Sequence, residues 1–385
     1  MAHGCFACRG VGDFRLSILK WEHFIRRVDD SGLDMPRCGD GVRADYLGSA
    51  RPYHARAAGK ELRPEEGLTR MSPAAAVQSD VFRLYFYIVA AFLVLAALAL
   101  AVATWGLKRD VRSVWTTYRS WLVMSAVLIG AIFAGRVATI LLFTLLAIFG
   151  LKEFARATGL YRDWWMTGAV YLAIISVGMT TLVPDPNNGR PGWYGLFMTV
   201  PVFGIAGLLL IPIVRNQPAG QLQAVSLAIL GFIYIGWMFG HLGFLANSEY
   251  AYGYLLYLIF AVALNDVAAF IFGKLFGRHQ LRSNISPNKT WEGAWGGLIV
   301  SLVLPWLLWF SFPHFGPLQL VLAGLIIGIG GQLGDLSLGF IKRDLGIKDS
   351  GALIPGHGGI LDRINSLIYT SPLFLHMVDY FYKHF

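Results

Sequence analysis

Long apolar runs dominate the sequence from residue 82 to the end of the chain. A helix that crosses a bilayer needs about 20 mostly apolar residues, because the hydrocarbon core is about 30 Å thick. Backbone groups in lipid must find hydrogen-bond partners within their own segment, so these runs are predicted to be helices. The predicted spans are residues 82–106, 119–135, 137–154, 164–183, 194–214, 222–245, 252–276, 294–312, 317–339 and 366–382. The sequence therefore predicts an all-α integral membrane protein, a polytopic bundle of about ten transmembrane helices.

Charge is scarce, and its distribution follows the predicted spans. Charged residues make up 14% of the chain, whereas soluble domains carry about 25%. Sixteen of the twenty lysines and arginines after residue 70 lie in or beside alternate loops, at residues 107–118, 155–163, 215–221, 277–293 and 340–365. Cytoplasmic loops of membrane proteins carry such an excess. We therefore place these loops in the cytoplasm, and we interpret the net charge of +9 as topology rather than nucleic-acid binding.

The chain divides into three regions by composition. Residues 1–70 hold twelve basic and ten acidic residues and no membrane-length apolar run. We interpret them as a disordered extension or a misassigned start, because the sequence from Met71 reads like a natural amino terminus. Residues 71–250 are predicted to be transmembrane scaffold helices. Residues 251–385 hold most of the polar residues within spans and are predicted to form the catalytic region.

The first polar group of this region lies inside a predicted span. Asp266 falls near the middle of residues 252–276, where a carboxylate is costly and by default suggests function. The following loop contains Ser286 and Lys289 in the stretch SPNKT, which we expect to be a polar turn before a helix that begins near Trp291. Free backbone N–H groups at a helix start, with a lysine beside them, favour an anion site.

Two aspartates are expected to meet at the cytoplasmic end of the last spans. Asp335, Gly339 and Lys342 share one helical face, since they are four and three residues apart. Asp362 begins a second helical face that includes Asn365 and Ser366. Mg²⁺ prefers one or two carboxylates and takes its other ligands from water and phosphate. The sequence therefore predicts a divalent-ion site that uses Asp335 and Asp362.

Cationic residues surround this predicted metal site. Lys342, Arg343 and Lys348 could neutralise several phosphate oxygens, and an arginine can bind two oxygens at once. His357 lies in PGHGG, which cannot be regular helix and is expected to bring the imidazole close to a ligand. The pattern indicates a site for phosphate groups.

The segment SLGFIKRDLGIKDSGALIPGHGGILDRIN, residues 337–365, resembles the signature of the phosphatidate cytidylyltransferases, also called CDP-diacylglycerol synthases. The similarity extends upstream through ND, ISPNKTWEG and GDL, so it covers roughly residues 260–370. The family pattern commonly ends in Asp-Arg-x-Asp, whereas this chain has Asn365 at the last position. This difference removes one negative charge and leaves the lipid acceptor open.

The resemblance implies that CTP and phosphatidate, or a related anionic lipid phosphate, react to give CDP-diacylglycerol and pyrophosphate. It implies Mg²⁺ as cofactor, with room for a monovalent cation such as K⁺, and it allows a homodimer. The expected location is a bacterial inner membrane, with the active site on the cytoplasmic face. Carried over by motif position, the catalytic residues are Asp335, Asp362, Lys342, Arg343 and His357, and the nucleotide- and phosphate-binding residues are Asp266, Ser286, Lys289, Lys348 and Arg363.

Three other functions are compatible with parts of this pattern. A CTP-dependent kinase for a polyprenol-type alcohol would share the anion-binding loops but would release CDP. A transporter could place Asp266 and His241 on an ion path, although the polar residues collect on one predicted face. A non-catalytic scaffold would be consistent with Asn365.

Overall fold

A computed structural model describes residues 71–106, 112–347, 350–351 and 358–382. The predictions for residues 1–70, Lys348 and His357 lie outside the described residues. Twelve α-helices span the described part: α1 Pro73–Gln78, α2 Asp80–Ala101, α3 Arg112–Ala134, α4 Arg136–Thr158, α5 Trp164–Leu182, α6 Tyr194–Arg215, α7 Gln221–Leu230, α8 Phe239–Phe244, α9 Ala251–Phe276, α10 Trp291–Leu307, α11 Pro317–Asp344 and α12 Leu361–Tyr382. A π-helical stretch, Gly231–Met238, joins α7 to α8 in one continuous helical segment.

The predicted fold class is confirmed. Eight helical segments in the described part are long and apolar enough to cross a membrane: Asp80–Trp105, Val114–Ala134, Arg136–Thr158, Trp164–Leu182, Tyr194–Arg215, Gln221–Asn247, Ala251–Phe276 and Pro317–Asp344. The remaining two predicted spans, 294–312 and 366–382, coincide with α10 and α12. α10 has only 17 residues and is followed by a short 3₁₀ turn, Trp309–Ser311. Neither α10 nor α12 is among the eight segments above, so both stay predictions as membrane spans.

A two-stranded hairpin interrupts the helices after α9. Strand β1, Gln280–Arg282, pairs antiparallel with β2, Ser286–Thr290, and Gln280 lies opposite Thr290. The prediction that the SPNKT stretch is only a turn is therefore wrong, because its backbone pairs with residues that precede it. The predicted helix start is confirmed: α10 begins at Trp291, and the Thr290 hydroxyl accepts a hydrogen bond from Gly293 N at 3.1 Å.

Glycines bring the last helices into close contact. A Cβ atom at Gly334 of α11 would overlap the main chain of Asn365 in α12. A Cβ at Gly297 of α10 would lie 2.7 Å from the side-chain oxygen of Asn265 in α9. Small residues allow helix backbones to approach in this way, which is common in membrane bundles. The close approach of α11 and α12 places Asp335 beside the first turns of α12.

Polar contacts stabilise the bundle at the end opposite the hairpin. Arg136, at the start of α4, donates to Asn247 Oδ1 at 2.5 Å and to the carbonyls of Thr181 and Leu182 at 2.8 and 2.9 Å. Those two carbonyls lie at the end of α5, where no later residue of the helix can bond them. The cationic side chain therefore caps a neighbouring helix.

Candidate active site

A cavity of about 270 Å³ lies between the hairpin, α11 and the first turns of α12. It is lined by Ile285, Ser286, Lys289, Asp335, Gly339, Lys342, Arg343, Asp362, Arg363 and Asn365. Seven of the residues proposed from the sequence as site residues thus line one cavity, although they come from three separate elements.

Asp335 is held by side chains from both neighbouring elements. Its Oδ2 accepts a hydrogen bond from Lys289 Nζ of the hairpin at 2.6 Å. Its Oδ1 accepts one from Asn365 Nδ2 of α12 at 2.7 Å and another from Ser366 Oγ at 3.3 Å. Lys289 also donates to Gln332 Oε1, one turn before Asp335, at 3.1 Å. The carboxylate is therefore fixed in position at the meeting point of three elements.

Asp362 lies in the first turn of α12, before the predicted span at 366–382. Its Oδ1 accepts from Lys342 Nζ at 2.8 Å, and its Oδ2 accepts from Ser350 N, Ser350 Oγ and Gly359 N at 3.1, 2.8 and 3.2 Å. Partial burial acts to raise the pKa of Asp362, but the hydrogen bond and charge of Lys342 and the hydrogen bonds from Ser350 outweigh it, so the pKa is lowered. This carboxyl group is therefore ionised at neutral pH.

The lining of the cavity carries more positive than negative charge. Lys289, Lys342, Arg343 and Arg363 face two aspartates there. Arg343 Nε also donates to the carbonyl of Ile285 at 3.3 Å, which links the end of α11 to the hairpin. A partly enclosed site with this excess of positive charge attracts a highly charged anion such as a triphosphate. The bound anion would also offset the repulsion between the neighbouring cations.

Asp266 lies beside the cavity but is not among the residues that line it. It is close enough to Asp335, Lys289 and Arg363 to interact with them electrostatically. Its neighbour Asn265 is buried and accepts a hydrogen bond from Ser301 Oγ at 3.1 Å. The structure therefore brings Asp266 near the cluster, and its predicted contact with nucleotide stays a prediction.

Comparisons with known proteins identify the family to which the chain belongs. The model of the cytidylyltransferase family matches residues 115–381, well over half of the chain. The chain belongs to the cytidylyltransferase family. Among its relatives is the uncharacterised protein YnbB of Escherichia coli (strain K12), which is 32% identical over 297 residues, 75% of this chain and 96% of the relative.

Two named relatives narrow the comparison within the cytidylyltransferase family. The phosphatidate cytidylyltransferase of Staphylococcus haemolyticus (strain JCSC1435) is 34% identical over 237 residues, which cover 61% of this chain and 88% of the relative. That of Staphylococcus aureus (strain COL) is 35% identical over 202 residues, 52% of this chain and 76% of the relative. The resemblance inferred from residues 337–365 is thus confirmed at the level of the family.

The side chains of the cavity suit a hard divalent cation. Asp335 and Asp362 offer carboxylate oxygens, and Asn365 and Ser286 add neutral oxygens in the same lining. Within the described residues, no group of three or more His, Cys, Asp or Glu side chains is arranged to hold a metal. Mg²⁺ does not need such a cage, because it retains water and takes oxygens from phosphates. The donor set therefore fits Mg²⁺ bound together with a nucleotide, and K⁺ stays a prediction.

Two polar neighbours of the site were not predicted from the sequence. Gln332 accepts a hydrogen bond from Lys289, and Ser350 donates hydrogen bonds to Asp362. Ser366, which the sequence placed on the helical face of Asp362 and Asn365, contacts Asp335 directly. Gln332 could have been found, since it lies one helical turn from Asp335 on the same face. His241, by contrast, was considered for an ion path; it is fully buried, and its Nδ1 lies 2.8 Å from the carbonyl of Trp237.

Proposed function

We propose that this protein transfers the cytidylyl group of CTP to phosphatidate, giving CDP-diacylglycerol and pyrophosphate. The observation that carries the proposal is the single cavity in which Asp335, Asp362 and four cationic side chains meet at one end of an apolar bundle. Membership of the cytidylyltransferase family and the names of the staphylococcal relatives support the same activity.

The chemistry joins two anions, so their repulsion is the main obstacle. An oxygen of the lipid phosphate attacks the α-phosphorus of CTP, the bond from that phosphorus to the β-phosphate oxygen breaks, and pyrophosphate leaves. Lys289, Lys342 and Arg343 would bind phosphate oxygens of both substrates and of the leaving group. Fixed positive charge aimed at developing negative charge is among the largest contributions to catalysis.

Asp335 and Asp362 would hold Mg²⁺ in this reaction. When bound, the ion would screen the phosphates and stabilise charge at the reacting phosphorus. Lys289 and Lys342 already bond the two carboxylates, so each lysine is placed to move only a short distance between a carboxylate and a phosphate. His357 and Lys348 are proposed to bind phosphate on the basis of the family pattern alone.

The acyl chains of phosphatidate would remain in the bilayer while its phosphate reaches the cavity. We place the cavity on the cytoplasmic face, because it lies between the basic loops 277–293 and 340–365. The basic loops 155–163 and 215–221 also meet, since Arg215 forms an ion pair with Asp163 at 2.8 Å. This contact supports the proposal that these two loops lie on one face of the membrane. A bacterial inner membrane is supported by the bacterial relatives, and a homodimer is proposed on the resemblance alone.

Labelled CTP distinguishes this activity from that of a lipid kinase. The purified protein, in mixed micelles with phosphatidate and Mg²⁺, should move label from the α-phosphate of CTP into lipid and release labelled pyrophosphate when the β- or γ-phosphate carries it. Transfer of γ-label to a lipid alcohol would instead identify a kinase. Absence of α-label in lipid from an active, folded preparation would overturn the proposal.

A further inference from the structure

One buried acidic residue of the scaffold region contacts the helix that carries Asp362. Glu153 lies near the end of α4 and is 9% exposed. Its Oε1 accepts a hydrogen bond from Ile360 N at 3.0 Å, and its Oε2 accepts one from Leu361 N at 2.9 Å. The first N–H groups of a helix have no partner within the helix, so Glu153 supplies an acceptor from another helix at the start of α12.

The same side chain lies against the two described ends of the segment that precedes α12. A Cβ atom at either Gly351 or Gly359 would overlap the Glu153 carboxyl group. On the other side of this backbone, Ser350 and Gly359 donate their N–H groups to Asp362 Oδ2. The backbone between Glu153 and Asp362 is therefore bonded from both sides, and a shift of one carboxyl group would move the hydrogen-bond donors of the other.

We propose that Glu153 is a positioning residue for cytidylyl transfer, an inference that rests on the proposed function. It holds the start of α12, so that Asp362 keeps its place opposite Lys342 in the cavity. Glu153 does not line the cavity, and its effect is transmitted through the backbone at Gly359, Ile360 and Leu361. Residues that orient a metal ligand through hydrogen bonds affect metal affinity or activity about 10- to 100-fold when they are replaced.

A second helix cap in the same protein provides a matched control. Asp163 accepts hydrogen bonds from Trp165 N and Met166 N at 3.1 and 3.2 Å, at the start of α5. Its carboxylate thus caps a helix as Glu153 does, but α5 carries none of the residues that line the cavity. Loss of a cap alone should destabilise both variants, whereas loss of positioning should affect only the Glu153 variants.

The test compares Glu153→Gln, Glu153→Ala and Asp163→Ala in the full chain. Glu153→Gln keeps the size of the side chain and one oxygen acceptor, so it should lie between the parent and Glu153→Ala. We expect the Glu153 variants to lower kcat about 10-fold or more and to raise the Mg²⁺ concentration for half-maximal rate about 5-fold or more. Amide hydrogen exchange should become faster in peptides covering residues 358–366. Asp163→Ala removes the capping oxygen, so it should speed exchange at residues 164–168 and leave the Mg²⁺ dependence unchanged.

Two results would overturn the inference. The first is that Glu153→Gln and Glu153→Ala retain the parental kcat and Mg²⁺ dependence per folded molecule. The second is that Asp163→Ala changes both parameters as strongly as the Glu153 variants do. Failure of the proposed function would look different, because the parent itself would then transfer no α-label. Hydrogen exchange at residues 358–366 would still show whether Glu153 holds α12, since that measurement does not depend on turnover.

Discussion

The contact between Asn365 and Asp335 makes a quantitative prediction about Asn365→Asp. In the parent, Asn365 Nδ2 donates to Asp335 Oδ1 across 2.7 Å. The variant replaces this donor with a carboxylate oxygen, so two negative charges would face each other at the same separation. At an effective dielectric constant of about 20, their repulsion at 2.7 Å is about 6 kcal/mol.

Protonation of one carboxyl group limits this cost. Protonating an ordinary Asp side chain costs about 4 kcal/mol at pH 7 and about 1.5 kcal/mol at pH 5. The Lys289 ammonium group, 2.6 Å from Asp335, offsets part of the repulsion, although both side chains are about a quarter exposed, at 23% and 26%. We therefore expect Asn365→Asp to lose about 2–4 kcal/mol at pH 7 in EDTA and about 1 kcal/mol at pH 5. The loss of stability is smaller at pH 5, because protonation of one of the two carboxyl groups removes the repulsion and becomes less costly as the pH falls.

Denaturation of the detergent-solubilised protein would test the prediction at both pH values, with EDTA and with Mg²⁺. Asn216→Asp is the control, because Asn216 is exposed at the end of α6 and should cost less than about 1 kcal/mol. Mg²⁺ should restore much of the stability of Asn365→Asp, since a cation between the carboxylates removes the repulsion. Equal stability of the parent and Asn365→Asp in EDTA would refute the contact. A loss that Mg²⁺ does not relieve would leave the contact intact and refute Asp335 as a metal ligand.

Two further predictions concern the aspartates and the helix contact. Asp335→Ala and Asp362→Ala should each still insert into the membrane but lower α-label transfer about 1,000-fold or more, at the Mg²⁺ concentration used for the parent. Near-normal transfer by either variant would contradict the metal assignment. Gly334→Ala should cost about 1–3 kcal/mol and reduce turnover, because its Cβ would overlap the main chain of Asn365. Gly130→Ala in α3 has no atom within 4 Å of the added Cβ and should be neutral or stabilising; equal behaviour of the two glycine variants in denaturation would show that α11 and α12 do not touch.

The helices were predictable because length and apolarity follow directly from bilayer thickness. The predicted span 317–339 lies within α11, Pro317–Asp344, and the predicted span 137–154 lies within α4, Arg136–Thr158. Each helix continues beyond the predicted end, because hydropathy reports where the apolar environment ends rather than where backbone hydrogen bonding ends. Asp335 and Asp362 could be placed in one site because each shares a helical face with other polar residues.

The contacts that assemble the site could not be predicted in the same way. Glu153 was assigned to the scaffold region, and its hydrogen bond to Leu361 joins residues 208 positions apart. Periodicity contains no information about such a pair. The pairing of β2 depends on β1, which has only three residues, too few for its alternation of exposed and buried side chains to be recognised in the sequence. Asn365 was interpreted as a missing charge, whereas its amide group donates to Asp335.

Both lysine–aspartate pairs have a consequence for how the protein matures. Lys289 neutralises Asp335, and Lys342 neutralises Asp362, so neither carboxylate depends on a bound metal for a counter-ion. Small zinc domains behave differently, since they fold only when the ion binds. We therefore expect the newly made chain to assemble its bundle without Mg²⁺. If Asp335 and Asp362 hold Mg²⁺ as proposed, the supply of magnesium would regulate turnover by the assembled protein and not the amount of folded protein.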